Sequence, residues 1–235
     1  MTAFTELLRR LPAHLRARLV RLRRPAFAGN LRRLRPISER YGFDRGTPVD
    51  RYYIGRFLES HRADVRGRVL EVKNNAYSRR FDSGVTRFDV LDIDPTNPDA
   101  TVVADLSAAD DVPGDQFDAF VLTQTLHLIF DIESAVRHAH RLLKPGGILL
   151  ATLPSVSRID RGAAEIDYWR VTEPSCRVLF GRVFGRENVE LCAYGNVFTA
   201  TAFLMGLAAE ELRPRELNEH DAAFPVLVGV RAVKR

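Results

Sequence analysis

Hydrophobic residues along this chain follow two periods. In short runs they are consecutive or β-branched, which predicts buried strands, and in longer segments they recur at steps of three and four, which predicts helices. The predicted strands are 68–72, 88–94, 101–104, 117–123, 148–150, 189–193 and 224–233, and the predicted helices begin at Asp50 or span about 131–143, 172–180 and 198–212. Strands that alternate with helices in this way predict an α/β fold.

The N-terminal segment has a pattern of its own. From Thr5 to Arg24, leucines recur on one helical face and arginines lie between them, and residues 1–50 contain twelve arginines against four acids. A basic amphipathic helix of this kind binds an anionic membrane or nucleic acid, or packs its leucine face on the body or on a second subunit. The second interpretation is favoured because no aromatic residues interleave with the arginines. It allows a homodimer through this helix and predicts no nucleic-acid partner.

Length and composition limit the remaining possibilities. The chain has 235 residues, of which 46% are hydrophobic. From this we expect a basic helical extension at 1–46 and one α/β domain at 47–235. The longest apolar run, 197–209, is too short for stable membrane insertion. Two cysteines make neither a metal-ligand cluster nor a disulfide framework, and early arginines interrupt any apolar core of a signal peptide, so we expect a cytoplasmic protein.

The first predicted strand ends at Glu71 and enters a polar turn. This stretch resembles the class I S-adenosylmethionine-dependent methyltransferases, whose first strand ends in an acid-x-Gly-x-Gly-x-Gly pattern. Glu71 takes the place of the acid, whereas Lys73, Asn75 and Tyr77 stand where the glycines are expected. Glycine permits positive φ and close approach of a ligand, and Asn75 tolerates the left-handed region better than most residues. The resemblance assigns Glu71, Lys73 and Asn75 to the cofactor, and the Lys73 ammonium is a candidate partner for the cofactor's carboxylate.

The resemblance continues over residues 68–153 and assigns further cofactor contacts. An acid at the end of the second strand, Asp92 or alternatively Asp94, would bind the ribose hydroxyls. Ile93, which follows Asp92, would also contact the cofactor. The pair Asp105 and Leu106 would hold the adenine, and Thr123, at the end of the fourth strand, would be a further cofactor contact. The link at 95–100 is too short for a crossover helix. The most specific signal is Arg-Leu-Leu-Lys-Pro-Gly-Gly at 141–147, between a helix and an apolar strand.

This resemblance implies a Rossmann-like, doubly wound and mostly parallel seven-stranded sheet with an antiparallel edge strand, and S-adenosylmethionine as cofactor. His127 follows the fourth strand and is the candidate general base, or else it packs against the next helix. Tyr168, Trp169 and Arg170 are candidates for acceptor binding, or else they seat the following helix.

The leading hypothesis is O-methyl transfer to a small molecule. The stretch Asp-Tyr-Trp-Arg at 167–170, with Tyr-Gly-Asn at 194–196, resembles methyltransferases of cell-surface glycan or glycosylated-metabolite synthesis, which suggests an acceptor that contains a sugar. One alternative is a non-catalytic or repurposed domain of the same fold, because the glycines are missing. Another is a basic-arm nucleic-acid or membrane binder whose sheet domain is only a scaffold.

Overall fold

The computed structural model of the protein describes Pro12, residues 29–81 and residues 84–235. The chain divides into two compact units, Met1–Pro36 and Ile37–Arg235. In the first unit the structure describes a 3-10 helix at Gly29–Arg32. The helix predicted at 5–24 lies outside the described residues apart from Pro12, so the homodimer hypothesis stays a prediction. The second unit begins at Ile37, and the predicted domain boundary at residue 47 stays a prediction.

A seven-stranded sheet forms the centre of the second unit. Its strands are β1 (Gly67–Val72), β2 (Val85–Asp92), β3 (Val102–Val103), β4 (Phe117–Thr123), β5 (Leu143–Pro154), β6 (Val189–Tyr194) and β7 (Leu227–Val233). The spatial order is β3-β2-β1-β4-β5-β7-β6. Strands β1 to β5 are parallel to their neighbours, and β7 runs antiparallel to both β5 and the edge strand β6. This arrangement confirms the predicted mostly parallel, Rossmann-like sheet.

Helices cover both faces of this sheet. They are α1 (Val49–Ser60), α2 (Ile132–Leu142), α3 (Glu173–Phe184), α4 (Val197–Met205) and α5 (Pro214–Asn218). Successive strand residues enter opposite cores, because side chains alternate along a strand. Leu70 packs in the core that contains α2 and α3, whereas Val69 packs in the core that contains α1 and α4. Among the described residues, no helix has the length and apolar character needed to cross a membrane.

The order of the strands reverses between β1 and β4, which places a crevice beyond their carboxyl ends. Such crevices are where open α/β sheets bind ligands. The predicted absence of a second crossover helix is confirmed, because residues 93–101 are all described and contain no helix. Arg79 and Arg80, which follow the loop after β1, lie in a 3-10 turn at Ser78–Phe81.

Three local predictions were wrong because long-range packing overrides local pattern. The helix predicted to begin at Asp50 begins at Val49, directly after Pro48, which pairs with Ala208 in an isolated bridge. Helix α4 ends at Met205, since Gly206 takes φ 73° and a Cβ there would lie 2.3 Å from the Ser38 carbonyl oxygen. The Lys-Pro-Gly-Gly segment is not a turn before β5 but an irregularity inside it, between the pairs Phe117–Leu143 and Ala119–Ile148.

Candidate cofactor and acceptor site

A cavity of about 830 Å³ opens at the carboxyl ends of β1, β2 and β4. This volume lies within the range of small-molecule binding pockets. One side of the cavity is formed by the loop after β1, the end of β2, residues 104–106 and the loop after β4. The other side is formed by residues from the segment 43–51 and by Asp160 and Ile166 from the loop after β5. The cavity therefore lies between these two groups of segments.

Glu71 fixes the shape of the loop after β1. It is 2% exposed, and its two carboxylate oxygens accept hydrogen bonds from the backbone amides of Tyr77, at 3.0 Å, and Ser78, at 2.8 Å. Burial raises the pKa of Glu71, and the hydrogen bonds from Ser78 and Tyr77 oppose that shift. Glu71 lines the cavity, and its carboxylate organises the loop backbone.

Lys73 is the residue of this loop that takes the left-handed conformation, with φ 68°. Its backbone amide donates to the Leu91 carbonyl at 2.9 Å, and its carbonyl accepts from the Asn97 side chain at 2.8 Å. Asn75, the residue expected to tolerate positive φ, does not adopt it and does not line the cavity. Its side-chain oxygen instead accepts from Arg79 Nε at 2.7 Å. The neighbouring Asn74 lines the cavity in its place.

The structure distinguishes the two acids near the end of β2. Asp92 lines the cavity, where Oδ2 accepts from the Asn97 amide at 2.7 Å and Oδ1 accepts from the Asp94 backbone amide at 3.1 Å. Asp94 does not line the cavity, and its carboxylate closes a turn with the Thr96 amide and hydroxyl. Asp92 is therefore the acid positioned to meet a ligand. Each of its oxygens still has capacity for a further hydrogen bond.

Four other predicted cofactor residues lie on the same side. Ile93 lines the cavity with 68% of its surface exposed, and Thr123 lines it at the end of β4. Asp105 caps the 3-10 turn that begins at Leu106, with Oδ1 accepting from the Ser107 amide and hydroxyl, each at 2.8 Å. Asp105 and Leu106 both line the cavity.

These residues fit an adenosine-containing cofactor. Two carboxylates with spare acceptor capacity suit ribose hydroxyls and an exocyclic amine, and the apolar Ile93 and Leu106 suit a flat ring. Gln124, at φ 47°, adds an amide whose buried Nε2 has no hydrogen-bond partner in the part of the chain that the structure describes. A buried amide without a partner is costly and indicates a binding site.

His127 lies in a 3-10 turn at Leu126–Leu128, next to the cavity-lining Leu128 and Ile129. Its Nε2 lies 3.9 Å from Asp167 Oδ1, and its buried Nδ1 has no partner among the described residues. Burial lowers the pKa of His127 to about 4, helped by Arg170 and Arg51 and opposed by Asp167. The imidazole is therefore neutral at pH 7 and able to accept a proton.

Arg170 is already paired within the protein. Its guanidinium binds both oxygens of Asp167, at 2.6 and 2.9 Å, and this pairing lowers the pKa of Asp167. Arg170 also donates to the Arg158 carbonyl at 2.9 Å and does not line the cavity. Its position indicates that it holds Asp167 in place beside His127.

Tyr168 and Trp169 form an exposed aromatic cluster with Phe130, which the sequence analysis did not identify. The Phe130 ring packs against Tyr168 with centroids 5.3 Å apart and stacks on Trp169 at 5.9 Å. The backbone amides of Tyr168 and Trp169 both donate to the His127 carbonyl, at 3.0 and 3.1 Å. Trp169 Nε1 donates to the Ile129 carbonyl at 3.0 Å. The cluster thus borders the turn that carries His127, although none of its three rings lines the cavity.

Arg158 connects the loop after β5 with the segment that precedes α1. Its guanidinium lies 3.7 Å from the centroid of the Tyr41 ring and donates to the Glu39 carbonyl at 2.8 Å. Tyr41 has φ 60°, and it belongs with Lys73 and Gln124 to the four non-glycine residues of the described chain that have positive φ. Strained backbone of this kind concentrates at functional sites.

Comparisons with known proteins agree with this geometry. Residues 67–151 match the family model for a methyltransferase domain. The fold is similar to an S-adenosylmethionine-dependent methyltransferase from Archaeoglobus fulgidus (11% identity, TM-score 0.52, 78% of this chain and 94% of that chain). It is also similar to one from Mesorhizobium loti (16% identity, TM-score 0.52, 82% of this chain and 100% of that chain). A third similar structure is the [4+2]-cyclase SpnF (16% identity, TM-score 0.52, 85% of this chain and 86% of that chain).

No curated protein sequence matches the chain. At these identities the solved structures establish the fold, and the family model establishes the domain that spans β1 to most of β5. Residues 67–151 therefore match a methyltransferase domain, and the described chain has the fold of S-adenosylmethionine-dependent methyltransferases, which supports S-adenosylmethionine as the cofactor.

Proposed function

We propose that the protein transfers a methyl group from S-adenosylmethionine to a hydroxyl oxygen of a small molecule that contains a sugar. The observation that carries this proposal is that Asp92 and Asp105 line the same cavity as the turn that carries His127. The acids suit the cofactor, and the neutral imidazole suits an acceptor hydroxyl. A cytoplasmic location and a homodimer through the N-terminal helix remain part of the proposal.

Methyl transfer requires the protein mainly to position the acceptor and to remove its proton. S-adenosylmethionine supplies an activated methyl group on a sulfonium, and the protein must align an acceptor oxygen with it and exclude water. As the new C–O bond forms, the hydroxyl becomes acidic, so a neutral histidine with a low pKa is a sufficient base. His127 does not itself line the cavity, but its Nδ1 has no partner in the described chain, so that nitrogen is the atom assigned to the proton. Asp167, 3.9 Å from Nε2, would stabilise the imidazolium that results.

The aromatic cluster supports a sugar-containing acceptor. Phe130, Tyr168 and Trp169 are 70%, 45% and 37% exposed, and their backbone is tied to the His127 turn. Exposed aromatic faces offer apolar contact area for the C–H face of a sugar ring, and the Tyr hydroxyl can bond to its oxygens. Arg170 contributes to this site indirectly, because its guanidinium is paired with Asp167.

A repurposed domain is the second candidate, because non-glycine residues fill all three glycine positions of the loop after β1. The similar fold of a protein named as a [4+2]-cyclase illustrates that this fold also serves other reactions.

Detection of S-adenosylhomocysteine by mass spectrometry, after incubation with S-adenosylmethionine and a panel of sugars, glycosides and phenols, separates the two candidates. We expect transfer by the wild type and a rate lower by about 10²- to 10⁴-fold in His127→Gln, with cofactor affinity retained. A protein that binds S-adenosylhomocysteine but has equal rates in the wild type and the variant would contradict the assigned base.

A further inference from the structure

Charged side chains in the cavity differ in how they are paired. All four lining acids, Glu71, Asp92, Asp105 and Asp160, accept hydrogen bonds from protein groups. The three lining cations are Arg51, Lys73 and Arg80. Within residues 29–81 and 84–235, none of these three side chains donates a hydrogen bond to the protein, although Arg80 lies over the Tyr77 ring at 5.2 Å. The side-chain N–H donors of these three cations are therefore available to a ligand.

Arg51 is the lining cation on α1. Its nearest carboxylate is that of Asp50, where Nη1 and Oδ2 lie 3.5 Å apart, which is long for a charged hydrogen bond. Burial raises the pKa of the Asp50 carboxyl group. The charge of Arg51 lowers the pKa of His127 and opposes the rise that burial causes in the pKa of Tyr77.

A second donor is available from the opposite loop. Gln124 lines the cavity after β4, and its Nε2 is buried without a partner in the described chain. A guanidinium and an amide present only N–H donors from these atoms, so their complement is a group rich in acceptor oxygens and not an amine. A planar guanidinium matches a carboxylate in particular, because it can donate two parallel hydrogen bonds to it.

The cofactor brings one carboxylate, on its methionine part, and Lys73 is the cation on the loop where that part is expected. A second cation on another element implies a second anion. We infer that Arg51, together with the Gln124 amide, binds a carboxylate of the acceptor, so that the substrate is a hydroxy acid such as a sugar acid. This inference rests on the proposed function, since it assigns the acceptor end of the same cavity.

Matched pairs of probes test the inference. Binding of D-glucuronate and D-glucose, and of 4-hydroxybenzoate and 4-hydroxybenzamide, would be measured by ligand-detected NMR with and without saturating S-adenosylhomocysteine. We expect the acid of at least one pair to bind about tenfold or more tightly than its neutral partner, because a charged hydrogen-bond pair is lost in the neutral compound. Arg51→Gln should abolish this preference, and Arg51→Lys should retain part of it.

Lys73→Gln is the control, because it removes a cavity cation on the cofactor side. It should leave the acid preference unchanged, while Arg51→Gln should leave S-adenosylhomocysteine affinity within about twofold. The inference is overturned if neither acid is preferred or if the preference survives in Arg51→Gln. It is also overturned if Arg51→Gln weakens S-adenosylhomocysteine as much as Lys73→Gln does, since Arg51 would then hold the cofactor's carboxylate. An Arg51-dependent acid preference without any cofactor binding would support the carboxylate site and reject the methyltransferase proposal.

Discussion

The carboxylate of Glu71 accepts a 2.8 Å hydrogen bond from the backbone amide of Ser78, seven residues further along the chain. A second hydrogen bond, from the Tyr77 amide, occupies the other oxygen. A loop without glycine thus keeps its turn, because a buried acid at the end of β1 binds its backbone.

Removing that acid should destabilise the protein and the site together. We expect Glu71→Ala to lower the free energy of unfolding by about 1–3 kcal/mol, because the buried Ser78 amide and the partly buried Tyr77 amide lose their acceptor. Urea unfolding measures the loss, and a titration with S-adenosylhomocysteine should show weaker binding. The control is Asp94→Ala, which removes an exposed carboxylate that bonds only within its own turn. Equal stability of the wild type and Glu71→Ala would contradict the role assigned to Glu71.

The two acids near the end of β2 give a second prediction. Asp92→Ala should weaken cofactor binding by about 1–3 kcal/mol, the usual loss when one partner of a charged hydrogen bond is removed. Asp94→Ala should bind the cofactor like the wild type, since Asp94 does not line the cavity. Calorimetric titration of both variants checks this. A large loss in Asp94→Ala alone would move the ribose contact two residues along the chain.

Substitutions of Lys73 distinguish the effect of its backbone strain on stability from the effect of its charge on cofactor binding. With φ 68° at this position, Lys73→Gly should raise the free energy of unfolding by up to about 1 kcal/mol, because the left-handed penalty exceeds the extra entropy of glycine in the unfolded chain. Lys73→Ala keeps a Cβ and should not stabilise the protein. If the ammonium pairs with the cofactor's carboxylate, both variants lose affinity, and Lys73→Gly loses less because it restores room for the ligand. Wild-type affinity in Lys73→Ala would show that the ammonium faces solvent.

His127 gives a prediction about pH. Its pKa of about 4 in the folded protein lies below the ordinary value of 6.5, so the unfolded chain binds more protons between these two pH values. Stability should therefore be independent of His127 above pH 6.5 and should fall as the pH decreases towards 4, by about 3 kcal/mol in total. The comparison of wild type and His127→Gln by urea unfolding across this range isolates the effect. Parallel pH profiles for the two proteins would mean that His127 takes up its proton as readily when folded as when unfolded.

The sequence predicted what depends on neighbouring residues. Strand β4 was predicted with its observed bounds. The acids Asp92 and Asp105 were assigned through the family resemblance, which uses only their place at the end of an apolar run. The short edge strand β3 followed from the length of the link before it. Such features need only the chain within a few residues of them.

The remaining features depend on contacts between distant segments. Lys73 rather than Asn75 is left-handed because its backbone bonds to Leu91 and Asn97, which no local pattern shows. Neither Arg51 nor Gln124 was identified as a site residue, since nothing nearby in sequence indicates that both line one cavity. Phe130 joined the aromatic cluster only once the loop after β5 placed Tyr168 and Trp169 beside it.

The central claim is that the natural loop, with lysine, asparagine and tyrosine at the glycine positions, still binds the cofactor. Isothermal titration of the full chain with S-adenosylmethionine and with S-adenosylhomocysteine tests it most directly. The account predicts one binding site, with a dissociation constant well below millimolar for at least one of the two. No binding of either compound at millimolar concentration, together with binding by a variant that restores glycine at 73, 75 and 77, would contradict it.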